Sequence, residues 1–244
     1  IYNETTRFLD RRTWDNGYLL NFWVSRNPVV MKTSEKIASA YEGLVNLVRI
    51  EDIDRQLEAM PMRNPLAVRL GYSLLRKLGN MRYSPRERVD RALDVRHIGC
   101  FDEEINDLWD EVAASYGFAV NRYKDYMNWR YCDPRGGDFV VSVVEEKGRL
   151  VGYSVLLVNE LKDYRVGYLV DAHARRNRPD VMYALVDDTV NFFKEKEVNI
   201  VNCQVVKGHP YGRILNEFGF IDSRISSKLF YKPLSSEVKG CSLN

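Results

Sequence analysis

The stretch Asn202–Phe220, NCQVVKGHPYGRILNEFGF, decides the reading of this chain. A short apolar strand runs into His209-Pro210. A helix follows and closes on Leu215-Asn216-Glu217-Phe218-Gly219-Phe220. Just upstream, Arg149–Asp171 reads as two strands, and Pro179–Lys196 as an amphipathic helix. In that helix Met182, Leu185, Val186, Thr189, Val190 and Phe193 recur at helical spacing. The order is therefore strand, strand, helix, strand, helix ending in Gly-Phe, strand.

Working outward, Phe139–Val144 and Val151–Val158 are strands joined by a tight turn at Lys147-Gly148, a hairpin signal. Before them, Leu93–Ile98 alternates as a strand. Asp102, with Glu103 and Glu104 behind it, opens a helix whose buried stripe is Ile105, Leu108, Trp109, Val112 and Tyr116. Lys124–Cys132 reads as a second helix. The last strand is expected over Ile225–Lys232, and the polar Ser235–Asn244 is expected to fray.

The beginning of the chain repeats the same order of elements. Thr5–Asp15 reads as a helix stopped by Asn16-Gly17, Tyr18–Val24 as a buried strand, Val29–Ala38 as a helix entered through Asn27-Pro28, and Leu44–Val48 as a strand. Leu20-Asn21 before Asn27-Pro28 corresponds to Val201-Asn202 before His209-Pro210. Residues 18–24 and 44–48 are expected to pair in a second, incomplete sheet. Between the repeats, Leu66–Leu78 carries Ala67, Leu70, Gly71, Leu74, Leu75 and Leu78 on one helical face, ended by Gly79-Asn80. That face packs between units, or lies on a membrane surface with Arg69, Arg76 and Lys77 outward.

Composition excludes more than it selects. The 244 residues are 45% hydrophobic, enough for one large domain or two small ones. With 36 basic and 34 acidic residues the net charge of +2 names no partner. Asn64–Arg91 holds a local basic surplus, which is either a solvated linker or a surface for anions. The cysteines Cys100, Cys132, Cys203 and Cys241 show neither metal spacing nor a disulfide framework, which suits a reducing, cytoplasmic setting. With His97, His173 and His209 as its histidines, the chain offers no metal-ligand pattern. Basic and aromatic residues do not interleave on a strand platform, so nucleic-acid binding is not expected. No apolar run approaches the roughly 20 residues that span a bilayer. IYNETTRFLDRR is neither a signal nor a transit peptide, and a start in a helical pattern without Met reads as a partial chain.

The element order, with Trp129-Arg130-Tyr131 ahead of the central sheet, resembles the GNAT N-acyltransferases. It is most similar to the tandem-GNAT type of mycothiol synthase and the peptidoglycan-branching aminoacyltransferases. The resemblance implies an α/β fold: a mixed, largely antiparallel central sheet flanked by helices, splayed between Gly167–Ala172 and Val201–Val206. It also implies a division into residues 1–50 as the end of a first unit, 51–91 as a linker with the amphipathic helix, 92–233 as a complete second unit, and 234–244 as a tail. The units are expected to pack within one chain or in a homodimer.

By the same resemblance, acetyl-CoA or another acyl-CoA lies in the splay. Its pantetheine arm pairs with Asp171–Ala174, including Ala172, His173 and Ala174, with Asn202 on the facing strand. Its phosphates meet Arg175-Arg176-Asn177-Arg178-Pro179-Asp180, where the arginines Arg175, Arg176 and Arg178 stand in for the family's spaced glycines. The family's proton-donating Tyr, four residues before Gly-Phe, is Leu215 here, and Tyr211 is one turn away. Asp171 and His209 are the candidate bases, and Trp129 and Arg130 the candidate substrate-binding residues. The implied reaction is acyl transfer to a small-molecule or cell-envelope precursor amine by direct attack. The alternative is a catalytically silent GNAT-fold scaffold or binding domain.

Overall fold

A computed structural model describes residues 20–25, 27–41, 43–59, 64, 66–71, 73, 88–90, 92–116, 119–161, 164–225 and 227–233. The helix expected over 5–15 and the tail lie outside these residues. Of the helix expected over 66–78, residues 66–71 and 73 are helical and the rest lies outside them. The chain divides into two compact units, Leu47–Ser223 and a smaller one made of Ile1–Asn46 with Arg224–Asn244.

In the smaller unit, β1 (Leu20–Ser25) and β2 (Ser39–Tyr41) flank the C-terminal strand β10 (Lys228–Pro233), and both pair with it antiparallel. Helix α1 (Pro28–Ser34) begins where predicted. Asn27 accepts the Val29 and Val30 amides on its side-chain oxygen, and Pro28 needs no amide partner at the first position. The expected pairing of residues 18–24 with 44–48 does not occur among the described residues, 20–24 of which pair with β10 instead. The central strand of this sheet comes from the far end of the chain, and its Phe230 is completely buried. β3 (Leu44–Ile50) joins the larger sheet instead, through Leu47 and Val48 opposite β9 (Ile221–Asp222), and leads into the short helix α2 (Ile53–Ala59).

The larger unit is a mixed sheet in the order β4-β5-β6-β7-β8-β3-β9. Its first strands are β4 (Val95–Ile98), β5 (Phe139–Glu146), β6 (Arg149–Leu161) and β7 (Tyr164–Ala174), each antiparallel to the next. The β5–β6 hairpin turns on Lys147 and Gly148, both at positive φ (53° and 74°), the geometry a two-residue turn demands. β7 then pairs parallel with β8 (Ile200–Val206) after a crossover through α5 (Pro179–Glu195).

The crossover helix lies close on the sheet because two strand positions carry no side chain. A Cβ on Gly167 would come within 2.7 Å of the Phe193 ring, and one on Gly152 within 2.5 Å of Val181. Across the other face runs α3 (Glu104–Ala113), started by the Asp102 carboxylate on the Glu104 amide at 3.0 Å. Its Ile105, Leu108, Trp109 and Val112 share a core with Val141, Val143, Tyr153 and Val155 of the central strands. Among the described residues no helix is long and apolar enough to cross a membrane.

Candidate active site

Two strands that share a ladder and then part create the site. β7 and β8 pair from Val166↔Ile200 to Leu169↔Cys203. At that point β7 carries a bulge: Leu156 faces Leu169, but Val155 faces Asp171, so Val170 is an extra residue. Beyond it, Val170–His173 and Gln204–Val206 line opposite walls of a cavity of about 310 Å³. Met182, Leu215, Ala119 and Val120 add apolar walls. The edge of β7 turned to the gap still has hydrogen-bonding capacity. Ala174 presents both its N–H and its C=O there, each met by the Tyr211 hydroxyl (3.1 and 3.3 Å). The two-residue repeat turns the N–H and C=O of Ala172 to the same side.

A second cavity, of about 600 Å³, opens on the other side of Tyr116, His209 and Tyr211, residues that line both chambers. Its walls include Arg88, Arg175, Arg176, Arg178 and Arg213, with Pro179 at the start of α5. One chamber is thus mainly apolar and the other strongly basic, and a neck of Tyr116, His209 and Tyr211 borders both.

A polar network runs along the first chamber. Arg122 holds the Asp171 carboxylate at both oxygens (Nε–Oδ2 2.8 Å, a terminal nitrogen to Oδ1 3.2 Å), and its guanidinium lies 5.0 Å over the Trp109 ring. The Tyr153 hydroxyl donates to Oδ2 at 3.0 Å, and His173 Nε2 stands 3.4 Å from Oδ1. Burial alone would raise the Asp171 pKa. The hydrogen bond and charge of His173, with those of Arg122, outweigh it and hold the carboxyl well below the usual carboxylate range.

His209 caps α6 (Pro210–Glu217): its Nδ1 accepts the Tyr211 amide at 3.3 Å. That bond fixes the ring hydrogen of neutral His209 on Nε2, which donates to the Tyr116 hydroxyl 3.1 Å away. Tyr116 in turn points to His173 Nδ1 at 3.5 Å. Burial, then repulsion from His173, lowers the His209 pKa. Burial raises the Tyr116 hydroxyl to about 12 and raises that of Tyr211, so both phenols keep their protons at neutral pH.

The predicted residues divide accordingly. Asp171, Ala172, His173, His209 and Tyr211 gather at the first chamber, and Ala174, Arg175, Arg176 and Arg178 at the second. Asp171 is not placed as a base, because its acceptor sites are taken by Arg122, Tyr153 and His173. His209 spends its lone pair on a helix amide. Asn202 pairs with Tyr168 inside the ladder, one residue before the gap opens. Trp129 and Arg130 do not reach either chamber. The helix expected over 124–132 is α4 (Lys124–Met127) followed by a π-helical turn, Asn128–Cys132. On that turn Trp129 is exposed, and the Arg130 guanidinium lies over the Tyr131 and Phe139 rings at 5.3 and 5.1 Å.

Sequence reasoning missed Arg122, the partner of Asp171, and Glu111, which holds Arg175. It placed Tyr116 only on an apolar stripe. Arg122 and Glu111 lie on a loop and a helix face where a lone charge carries no motif.

No protein-family model matches the sequence, and no curated protein matches it by sequence. Among solved structures, yeast (Saccharomyces cerevisiae) N-myristoyltransferase with bound myristoyl-CoA is similar at 12% identity and TM-score 0.59, over 94% of this chain and 54% of its own. A GCN5-related N-acetyltransferase from Anabaena variabilis is similar at 8% identity and TM-score 0.53, over 94% of this chain and 50% of its own. The chain spans about half the length of both of these relatives. An aminoglycoside acetyltransferase from an uncultured soil metagenomic sample aligns over 53% of this chain and 88% of its own, at 17% identity and TM-score 0.41. At TM-scores of 0.59 and 0.53, the first two likenesses show the fold: the chain has the fold of the GCN5-related N-acetyltransferase superfamily.

Proposed function

We propose that the larger unit is an acyl-CoA-dependent N-acyltransferase, with the donor lying through the neck between the two chambers. The observation that carries this reading is the edge of β7 beyond the Val170 bulge, unpaired by β8 and facing a cavity that shares Tyr116, His209 and Tyr211 with a basic chamber. An extended amide-bearing arm pairs with such an edge as a strand would, its acyl end in the apolar chamber and its phosphates among the arginines. The acceptor amine attacks the thioester carbonyl, the C–N bond forms, and the C–S bond breaks. The Ala172 amide faces the developing oxyanion. Tyr211 gives its hydroxyl proton to the departing thiolate and takes another from water. The proton of the amine passes to water, because Asp171 and His209 have no free lone pair for it.

The chain's own thiol on the cavity takes no part. Burial raises Cys203 to about 12, so it stays a neutral thiol and a poor nucleophile, and transfer is direct. The acceptor belongs to the class of small-molecule or cell-envelope precursor amines.

The test is a melting-temperature shift with acetyl-CoA and longer acyl-CoA donors, followed by thiol release with a panel of amines. A shift and turnover are expected, with Tyr211→Phe lowering kcat more than it alters KM. Absence of any shift or binding heat would overturn the reading. A second reading, a silent GNAT-fold binding domain, is favoured by Leu215, buried at the family's proton-donor position. Donor binding without turnover of any amine is its signature.

A further inference from the structure

Two residues lining the basic chamber, Arg175 and Arg176, already hold an anion of the chain's own. Glu111, near the end of α3, sends Oε2 to the Arg175 guanidinium at 2.7 Å and Oε1 to the Arg176 amide at 2.9 Å. A guanidinium and a backbone amide converging on two oxygens of one group is the way a phosphate is held. The two partners of this contact differ. Arg175 is largely buried (13% of its side chain exposed) and anchored by its Nε on the Leu150 carbonyl at 2.9 Å, whereas Glu111 is 34% exposed. The cradle is fixed, and its occupant borders solvent. Next to it, Arg178 is shared between Asp180 and Glu146, so loss of either carboxylate leaves it paired. Among the described residues, Glu111 is the acid that holds the Arg175–Arg176 cradle.

We infer that Glu111 is an intramolecular competitor for the anionic end of the donor, and that binding requires its carboxylate to swing off Arg175 and the Arg176 amide. The inference rests on the acyl-CoA reading only for the identity of the donor; the competition itself concerns any phosphate-bearing ligand. It makes Glu111 a residue that sets donor affinity without touching the reacting atoms.

Calorimetry with inorganic pyrophosphate and with acetyl-CoA tests it on the whole chain, comparing wild type with Glu111→Ala and Glu111→Gln. Removing the competing charge is expected to tighten pyrophosphate about tenfold, since at least one charge-assisted hydrogen bond no longer has to be broken. Glutamine, which can still accept from the Arg176 amide, should give an intermediate gain. Equal or weaker pyrophosphate binding by a folded variant overturns the inference, as does absence of pyrophosphate binding in all three proteins. If Glu111→Ala fails to fold, the glutamine variant decides. In the wild type the Glu111 carboxyl carbon resonance must also move when pyrophosphate is added, and an unmoved resonance under saturating ligand overturns the inference as well. Tighter pyrophosphate with no acetyl-CoA binding would sustain the competition and refute the acyl-CoA reading. Turnover by wild type with no gain in either variant would do the reverse.

Discussion

At the scale of single residues, burial with a partner decides what a group does. Asp171 has the position of a base, but its side chain is only 8% exposed and Arg122 grips both oxygens. Taking away one member of a buried pair leaves the other charged and unsatisfied, which costs far more than the pair contributes. Arg122→Ala is therefore expected to destabilise the larger unit by about 3 kcal/mol, read as a lowered midpoint in urea, and Asp171→Asn by a similar amount, since it leaves the Arg122 guanidinium without its counter-charge and turns an NH2 donor toward other donors. Equal, negligible effects from both would show the pair to be idle. His209 gives a second expectation, in pH. Burial and His173 lower its pKa, so the unfolded chain takes up the proton first. Its stability contribution is complete above the unfolded value near 6.5 and is lost as the pH falls from there through the lower folded value. His209→Asn keeps a side-chain acceptor for the Tyr211 amide and removes the titration. The gap in melting temperature between wild type and this variant should narrow from pH 7.5 to pH 5; a constant gap would contradict it. The sequence showed both groups but not their roles, because the partners are remote: Arg122 is 49 residues from Asp171, and Tyr116 is 93 from His209.

At the scale of elements, what was legible is what local chemistry dictates. The Lys147-Gly148 hairpin, the stripe of α5, the Asn27 cap of α1 and the helix after His209-Pro210 all stand where the residues place them. The π-helical turn was not legible, since it depends on Asn128 bonding both backbone groups of Phe101, 27 residues away (2.7 and 2.9 Å). Neither was the Val170 bulge, which is a matter of register with β6 and leaves no composition signal. Close seating of α5 yields a prediction at this scale. Gly167→Ala would push a methyl into the Phe193 ring and is expected to cost about 1–3 kcal/mol by overpacking. Adding Phe193→Leu should recover part of that loss, a non-additive pair detectable in a double-mutant cycle. Strict additivity would mean that the two positions do not meet.

For the whole molecule, the division into units does not follow the order of the chain. The smaller sheet takes β1 and β2 from the beginning and its central β10 from the end, while β3 passes to the larger sheet. A sequence reading that moves residue by residue pairs neighbours first, which is why it set 18–24 against 44–48. Removing residues 224–244 should accordingly abolish amide protection in β1 and β2, which lose their partner strand, while β5, β6 and β7 stay protected. Hydrogen exchange followed by mass spectrometry reads both regions in one experiment. Surviving protection in 20–25 would show that β10 is not what holds that strand.

The bulge at Val170 also bears on how such a site can change over generations. The surplus is a matter of counting: β7 has one residue more than β6 beside it, at the point where its ladder with β8 ends. Ordinary codon changes along 166–174 can therefore alter what the chamber recognises without abolishing it. A three-base in-frame deletion there removes the surplus residue and lets the strand run straight beside β8. Against a library of substitutions and single-residue deletions, the lineage of this fold should tolerate many of the former in this segment and almost none of the latter.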